Sequence, residues 1–265
     1  MGHAVPGKSK VRSSGSLAVN IPPGLLSVAA VLLIWEFLAQ LEISYAFPSI
    51  LEIGRAWFVL YQRGDLQMNL LISAQQLALG FAFGAGLGLI TGTGMAVNDY
   101  IQAMLRPYID AFLSAPLIAF VPLMVALFGF GPEPIIGTVF LYTFFVICVN
   151  TETGVRNVDE GLIEMARSYG AGSLKLIIRI LLPGASGLIV GGIKLAMGRA
   201  IQGVITGQLL IALSGLGGLL IEFGRAFKTD YLYAVLLTVV IISWCFLELF
   251  ERLEQSFLKW RQLPM

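Results

Sequence analysis

Between its charged residues this chain carries uncharged stretches long enough to cross a lipid bilayer, and that spacing constrains its fold more than any other feature. Leu66 to Asn98 is 33 residues without a charge, Ala111 to Pro132 is 22, Pro134 to Thr151 is 18, Ala200 to Ile221 is 22 and Tyr231 to Leu247 is 17. A spanning helix needs about 17–25 residues, because the hydrocarbon layer is about 30 Å thick and each helical residue advances about 1.5 Å. Val19 to Trp35 adds a first run, which extends to Leu41 once Glu36 is snorkelled or buried. Charged residues are only 12% of the chain and hydrophobic residues 57%, against about 25% charged in a soluble domain. The expected fold is an all-α polytopic membrane protein with six spans, near 24–41, 70–97, 107–128, 134–151, 186–212 and 231–250.

Orientation follows from Lys and Arg. With the N-terminus in the cytoplasm, eleven basic residues fall inside: Lys8, Lys10, Arg12, Arg106, Arg156, Arg167, Lys175, Arg179, Arg252, Lys259 and Arg261. Four fall outside: Arg55, Arg63, Arg225 and Lys228. The positive-inside rule therefore places both termini in the cytoplasm. A cleaved signal peptide is the other reading of the first run, but no small-residue cleavage site closes it. The expected organisation is a flexible tail over 1–20, a single transmembrane domain over 21–265, and a cytoplasmic loop over 152–185.

Enzyme readings lack their parts. The only histidine is His3, so neither a Ser-His-Asp arrangement nor a histidine metal site can be assembled. The glycines and lysine of Gly187 to Lys194 are out of register for a phosphate-binding loop. No metal, cofactor or nucleic acid is expected on this chain. Energy for its work must come from another subunit or an ion gradient.

Glycine and proline punctuate the spans. Gly80, Gly84, Gly88 and Gly92 recur every four residues, a small-residue stripe along which a second helix can approach closely in lipid. Pro107, Pro116 and Pro122 interrupt the third span, either kinking it or breaking it beside a cavity. Outside, Phe47 to Asp65 places Ile50, Ile53, Trp57 and Tyr61 at helical spacing, which predicts a short surface helix with its aromatic rings at headgroup level. Ser214 to Asp230, with Gly215, Gly217 and Gly218 and mixed charge, reads as a solvated loop.

The charged island Glu164 to Pro183 is the exception in this apolar chain. Good helix formers run from Glu164 to Tyr169, Gly170 can adopt the left-handed conformation that ends a helix, and Ser173 can begin another. Glu164, Ala166 and Gly170, then Ile180 and Leu182-Pro183, match the Glu-Ala-Ala…Gly…Ile-x-Leu-Pro signature. The segment thus resembles the permease subunits of bacterial ABC importers. Met165 departs from the usual alanine. Phe47-Pro48-Ser49, Arg106-Pro107-Tyr108-Ile109-Asp110 through Gly131, and Gly198-Arg199-Ala200 through Leu219 extend the likeness to nearly the whole chain and to the nitrate/sulfonate/taurine branch.

The resemblance implies a type I importer fold in the bacterial inner membrane, with a coupling helix between spans four and five that seats on an ATPase. Glu164, Met165, Ala166, Arg167, Gly170, Ala171, Ile180 and Pro183 would carry that contact. The implied partners are a second permease copy, two cytoplasmic ATP-binding subunits holding ATP and Mg, and an extracytoplasmic solute-binding protein. Candidate pathway residues are Asp110, Pro116, Lys194, Arg199 and Gln208, the last where many relatives carry glutamate. Lys194 and Arg199 are the only basic residues inside a span and suit a small anion such as a sulfonate, taurine, nitrate or an aromatic acid. Two plainer readings stand beside that: Lys194 snorkels to the cytoplasmic surface, and Arg199 pairs with Asp110. The alternative function is an ion-coupled carrier or channel without ATPases, and a third is a membrane scaffold.

Overall fold

The computed structural model describes residues 23–41, 46–211 and 214–258. It falls into two units, one ending at Ser49 and one from Ile50 onward. In the first unit, α1 (Pro23–Gln40) is a predominantly apolar helix that carries one charged residue, Glu36. Its Trp35 donates from Nε1 to the Pro48 carbonyl at 3.1 Å and meets the Phe47 ring edge-on, tying the Phe-Pro-Ser segment back to the helix. The expected tail over 1–20 lies outside the described residues.

The second unit is built from ten further helices, and the described residues contain no strand. These are α2 (Ile50–Arg63), α3 (Asp65–Val97), α4 (Asp99–Ser114), α5 (Val121–Phe128), α6 (Glu133–Arg156), α7 (Glu160–Ser168), α8 (Ser173–Leu176), α9 (Leu182–Ile211), α10 (Gly215–Arg225) and α11 (Thr229–Leu258). Four helical paths are long and apolar enough to cross a membrane: α3, α6, the path from Ser173 to Ile211 and α11. A fifth is broken. The third expected span is not one helix but α4 and a Leu117–Phe128 segment bent by 102° at Ala115 and Pro116. The residue before a proline avoids the helical region, and Ala115 accordingly turns extended (ψ 147°).

α6 is the axial helix of the unit. On one side the α3 glycines admit it: a Cβ at Gly80 would lie 2.5 Å from Val139 Cβ, at Gly84 2.8 Å from Thr143 Cβ, and at Gly88 2.9 Å from the Phe144 carbonyl. On the other side α9 uses the same device, with Gly192 against Asn150 and Gly203 against the Tyr142 ring. Lipid tails are as apolar as leucine, so close backbone approach and dispersion hold these helices together. The buried residues Leu77, Val139, Met197, Ala200 and Val204 fill the seam.

α2 is a helix at the expected place, with part of its apolar surface packed and Ile50, Leu51, Phe58 and Tyr61 exposed. Ala56 and Leu60 are buried with Leu216, Leu219 and Phe223 of α10 and Ala234 and Val235 of α11. Trp57 stacks on Tyr61 and donates from Nε1 to Thr238 Oγ1 at 3.1 Å. The expected solvated loop from Ser214 to Asp230 is corrected: Gly215 to Arg225 forms α10.

Candidate functional site

The hairpin between α6 and α9 is built by local chemistry. Asp159 caps α7, its side chain accepting from the Gly161 and Leu162 N–H groups at 2.7 and 3.3 Å. Gly170, at φ +76°, ends the helix: its N–H donates to the Arg167 carbonyl at 2.9 Å, and Ala171 N–H donates to the Ala166 carbonyl at 3.0 Å. Those bonds satisfy carbonyls that a helix end leaves open. α8 starts after the cap at Gly172 and continues without a break into α9.

Pro183 sits inside that continuous path. A proline cannot donate a backbone bond and crowds the carbonyl four residues earlier. The path absorbs it with a π-turn over Ile177–Leu181, where the Leu182 N–H reaches the Ile177 carbonyl.

The hairpin has an inner and an outer face. Ala166, Leu176 and Leu181 are buried with Val155 and Ala185, so Ala166 and the Leu-Pro end of the signature anchor α7 to the spans. Ile180, Ala171 and Ile163 pack against the same cluster. Facing away are Glu164 and Arg167, with Leu162 46% exposed, Met165 50%, Tyr169 87% and Leu174 70%. The segment therefore presents apolar and charged side chains together on a turn capped at both ends.

Beside the hairpin lies an ion network that the sequence did not disclose. Glu152, 2% exposed, receives Arg106 at 2.8 Å and Arg156 at 3.7 Å, and its other neighbour is the Gln102 amide at 2.5 Å. Arg156 also reaches Asp99 at 2.7 Å and the Met95 carbonyl at 3.1 Å. Arg106 bonds Asp110 at 3.0 Å, so Asp110 is not the partner of Arg199. Taking a carboxylate out of water is costly unless it is paired and hydrogen-bonded in this way. The contacts of Glu152 with Arg106 and Gln102 and of Arg156 with Asp99 join residues 46 to 57 positions apart, which leaves no sequence signal, whereas Arg106–Asp110 and Glu152–Arg156 are pairs one helical turn apart.

The other pathway candidates separate. Lys194 stands 3.5 Å from Glu251 of α11. Pro116 marks the break after α4. Gln208 is fully buried and makes a packed polar node: its Nε2 donates to Gln76 Oε1 at 2.7 Å and Ser73 Oγ at 2.9 Å, and its Oε1 accepts from the Gly217 N–H at 2.9 Å. The Leu216 N–H donates to Ser73 Oγ and the Gly215 N–H to Asn69 Oδ1. Three side chains, Asn69, Ser73 and Gln208, thus receive the open N-terminus of α10. Arg199 alone of these candidates is exposed and forms no hydrogen bond or ion pair among the described residues. No group of three metal-ligating side chains stands together among the described residues.

Apolar spans around a glycine-lined axial helix, with a capped helical hairpin at one end, define a subunit of a membrane transport system. Residues 84–259 match the family described as the binding-protein-dependent transport system inner membrane component, and the chain belongs to that family. It is similar to the putative aliphatic sulfonates transport permease protein SsuC of Bacillus subtilis (30% identity, covering 90% of this chain and 87% of that one) and to its Escherichia coli namesake (30%, 91% and 92%). The Escherichia coli taurine transport system permease protein TauC is 28% identical over 69% of this chain and 66% of its own length. The fold matches the inward-facing MetNI methionine ABC transporter with a TM-score of 0.63, at 19% identity, covering 71% of this chain and 93% of that one. An amino acid ABC transporter solved with histidines gives a TM-score of 0.59 at 18% identity, covering 76% and 95%. The protein is accordingly a permease component of an ABC importer, a membrane transport subunit and not an enzyme.

Proposed function

We propose that two copies of this chain form the translocation pathway of an importer for a small anionic solute of the sulfonate, taurine, nitrate or aromatic acid type. Two ATPase subunits, holding ATP and Mg, bind at the hairpin in the cytoplasm, and a solute-binding protein docks at the opposite end of the spans. Both termini are cytoplasmic, as the distribution of Lys and Arg indicates. Coupling runs through α7: nucleotide-driven closure of the ATPases moves the hairpin, and the Ala166, Leu176 and Leu181 anchor carries that motion into α6 and α9.

One observation carries the reading. The hairpin shows Leu162, Met165, Tyr169 and Leu174 to solvent while its opposite face is buried and its turn is fixed by Gly170. Exposed apolar side chains on a capped turn at the polar end of a membrane domain are supported best by a protein partner. Kinship with the aliphatic sulfonate and taurine permeases supports the cargo class. The test is gentle purification followed by reconstitution. Co-purification of nucleotide-binding chains and ATP-dependent uptake of a sulfonate, taurine, nitrate or benzoate are expected; uptake driven by an ion gradient alone would refute the reading.

A further inference from the structure

We propose that Arg199, Gln202 and Thr206 form an oxyanion station on α9 through which the solute passes. This deepens the reading above and rests on it. Leu195, Arg199, Gln202, Thr206 and Leu210 recur at intervals of four, three, four and four residues, which places them along one face of the helix. That face points away from the rest of the chain: Leu195 and Leu210 are 56% and 53% exposed, and Arg199 and Gln202 are exposed with them. Arg199 lies about 25 Å along the helix axis from Leu182 and about 18 Å from Ile211, deep within the spanning length.

A charge at that depth does not face hydrocarbon; it lines a water-filled cavity or meets a counter-charge. Among the described residues none pairs with it: Asp110 is engaged by Arg106 and Glu251 lies at Lys194. Beside the stripe, α9 and α11 enclose an open groove of about 310 Å³ in which Gln202, Thr206 and Ser243 are the polar groups on otherwise apolar walls of Ile201, Ile205, Val239 and Leu247. Small Gly198 and Gly203 keep this segment narrow, the latter seating the buried Tyr142 ring one turn from Arg199. A guanidinium offers a planar fork of N–H donors matched to the oxygens of a sulfonate, carboxylate or nitrate. Gln202 and Thr206 add neutral groups one and two turns further along, so an anion leaving Arg199 finds further partners without a second charge to trap it.

The test is charge-selective labelling of the assembled complex in proteoliposomes. With Cys245 replaced by serine, the remaining Cys148 is buried and silent. Gln202→Cys is then exposed to an anionic sulfonatoethyl methanethiosulfonate and to its cationic trimethylammonium counterpart. The sulfonate reagent is expected to react about tenfold faster, since a lined cavity of one sign concentrates its counter-ion, and Arg199→Gln is expected to abolish that preference. Labelling by neither reagent, or a preference unchanged by Arg199→Gln, overturns the proposal. Thr206→Cys supplies the same reading where Gln202→Cys does not assemble. Failure of the importer reading itself appears separately, as the absence of ATP-dependent uptake by the unmodified complex.

Discussion

The Arg106 guanidinium lies 2.8 Å from Glu152 Oε2, fastening α4 to α6 one turn before α6 ends at Arg156 and the chain enters the hairpin. The carboxylate is 2% exposed and the arginine 41%, so the energetic weight of the pair sits on the buried partner. It connects the base of the proposed coupling element to the broken helix.

Arg106→Ala exposes that dependence. Arg156 and Gln102 remain beside Glu152, so the loss is about 2 kcal/mol, below the several kcal/mol of a wholly orphaned buried charge. A double-mutant cycle with Glu152→Ala, followed by thermal unfolding in detergent, is expected to give a coupling energy of about 1–3 kcal/mol. Strict additivity would remove the pair from the account.

The glycine stripe predicts opposite outcomes for two neighbours on α3. A Cβ at Gly92 would collide with the Cys148 carbonyl and sit 2.8 Å from Thr151 Cβ, whereas nothing lies within 4 Å of one at Gly94. Gly92→Ala lowers the melting temperature by forcing α3 off α6. Gly94→Ala leaves it unchanged or raises it, by up to about 1 kcal/mol of helix propensity.

Gln208→Leu fills the same space without its bonds. It orphans the Gly217 N–H and the Gln76 carbonyl oxygen, at about 1–3 kcal/mol for each buried group that finds no new partner. Gly217→Ala is damaging for a different reason: its Cβ would lie 2.5 Å from Gln208 Cβ. Protease accessibility of α10, measured in membranes, rises in both variants. Unchanged protection in both would show that the node does not hold α10.

On the exposed face, Tyr169→Ala and Leu174→Ala leave thermal stability within about 0.5 kcal/mol, as surface substitutions do. Binding of the ATPase subunits weakens by about tenfold or more where a side chain is an interface anchor. Titration of purified ATPase subunit against the permease checks both halves, and unaltered affinity for both variants would move the contact elsewhere.

Much of this molecule is legible in its sequence because the bilayer imposes a simple code. Uncharged runs supply most of α3, α6 and α11, the run from Ala200 is shared between α9 and α10, and the spacing of Gly80, Gly84, Gly88 and Gly92 announces a helix that packs closely. Gly170 is legible too, since a left-handed helix end calls for glycine. α10 is not: Gly215 and Gly217 imitate a loop, while their actual cause is the approach of Gln208 from another helix. Pro116 announces an interruption but not a bend of 102°. The long-range part of the Glu152 network depends on how α4 and α6 meet, whereas Arg106 and Asp110 stand one turn apart on α4 itself, and Arg199 gains its meaning only once those pairings leave it alone.

The most direct measurement is solute uptake together with binding-protein-stimulated ATP hydrolysis by the assembled complex carrying Gly170→Pro or Gly170→Asn. Proline fixes φ near −65° and lacks the N–H that reaches the Arg167 carbonyl, so it destroys a turn held at φ +76°. Asparagine tolerates the left-handed conformation. Loss of coupled uptake and stimulated hydrolysis in Gly170→Pro, with both retained in Gly170→Asn, is the predicted result; full coupled activity in Gly170→Pro would contradict the assignment of this hairpin as the coupling element.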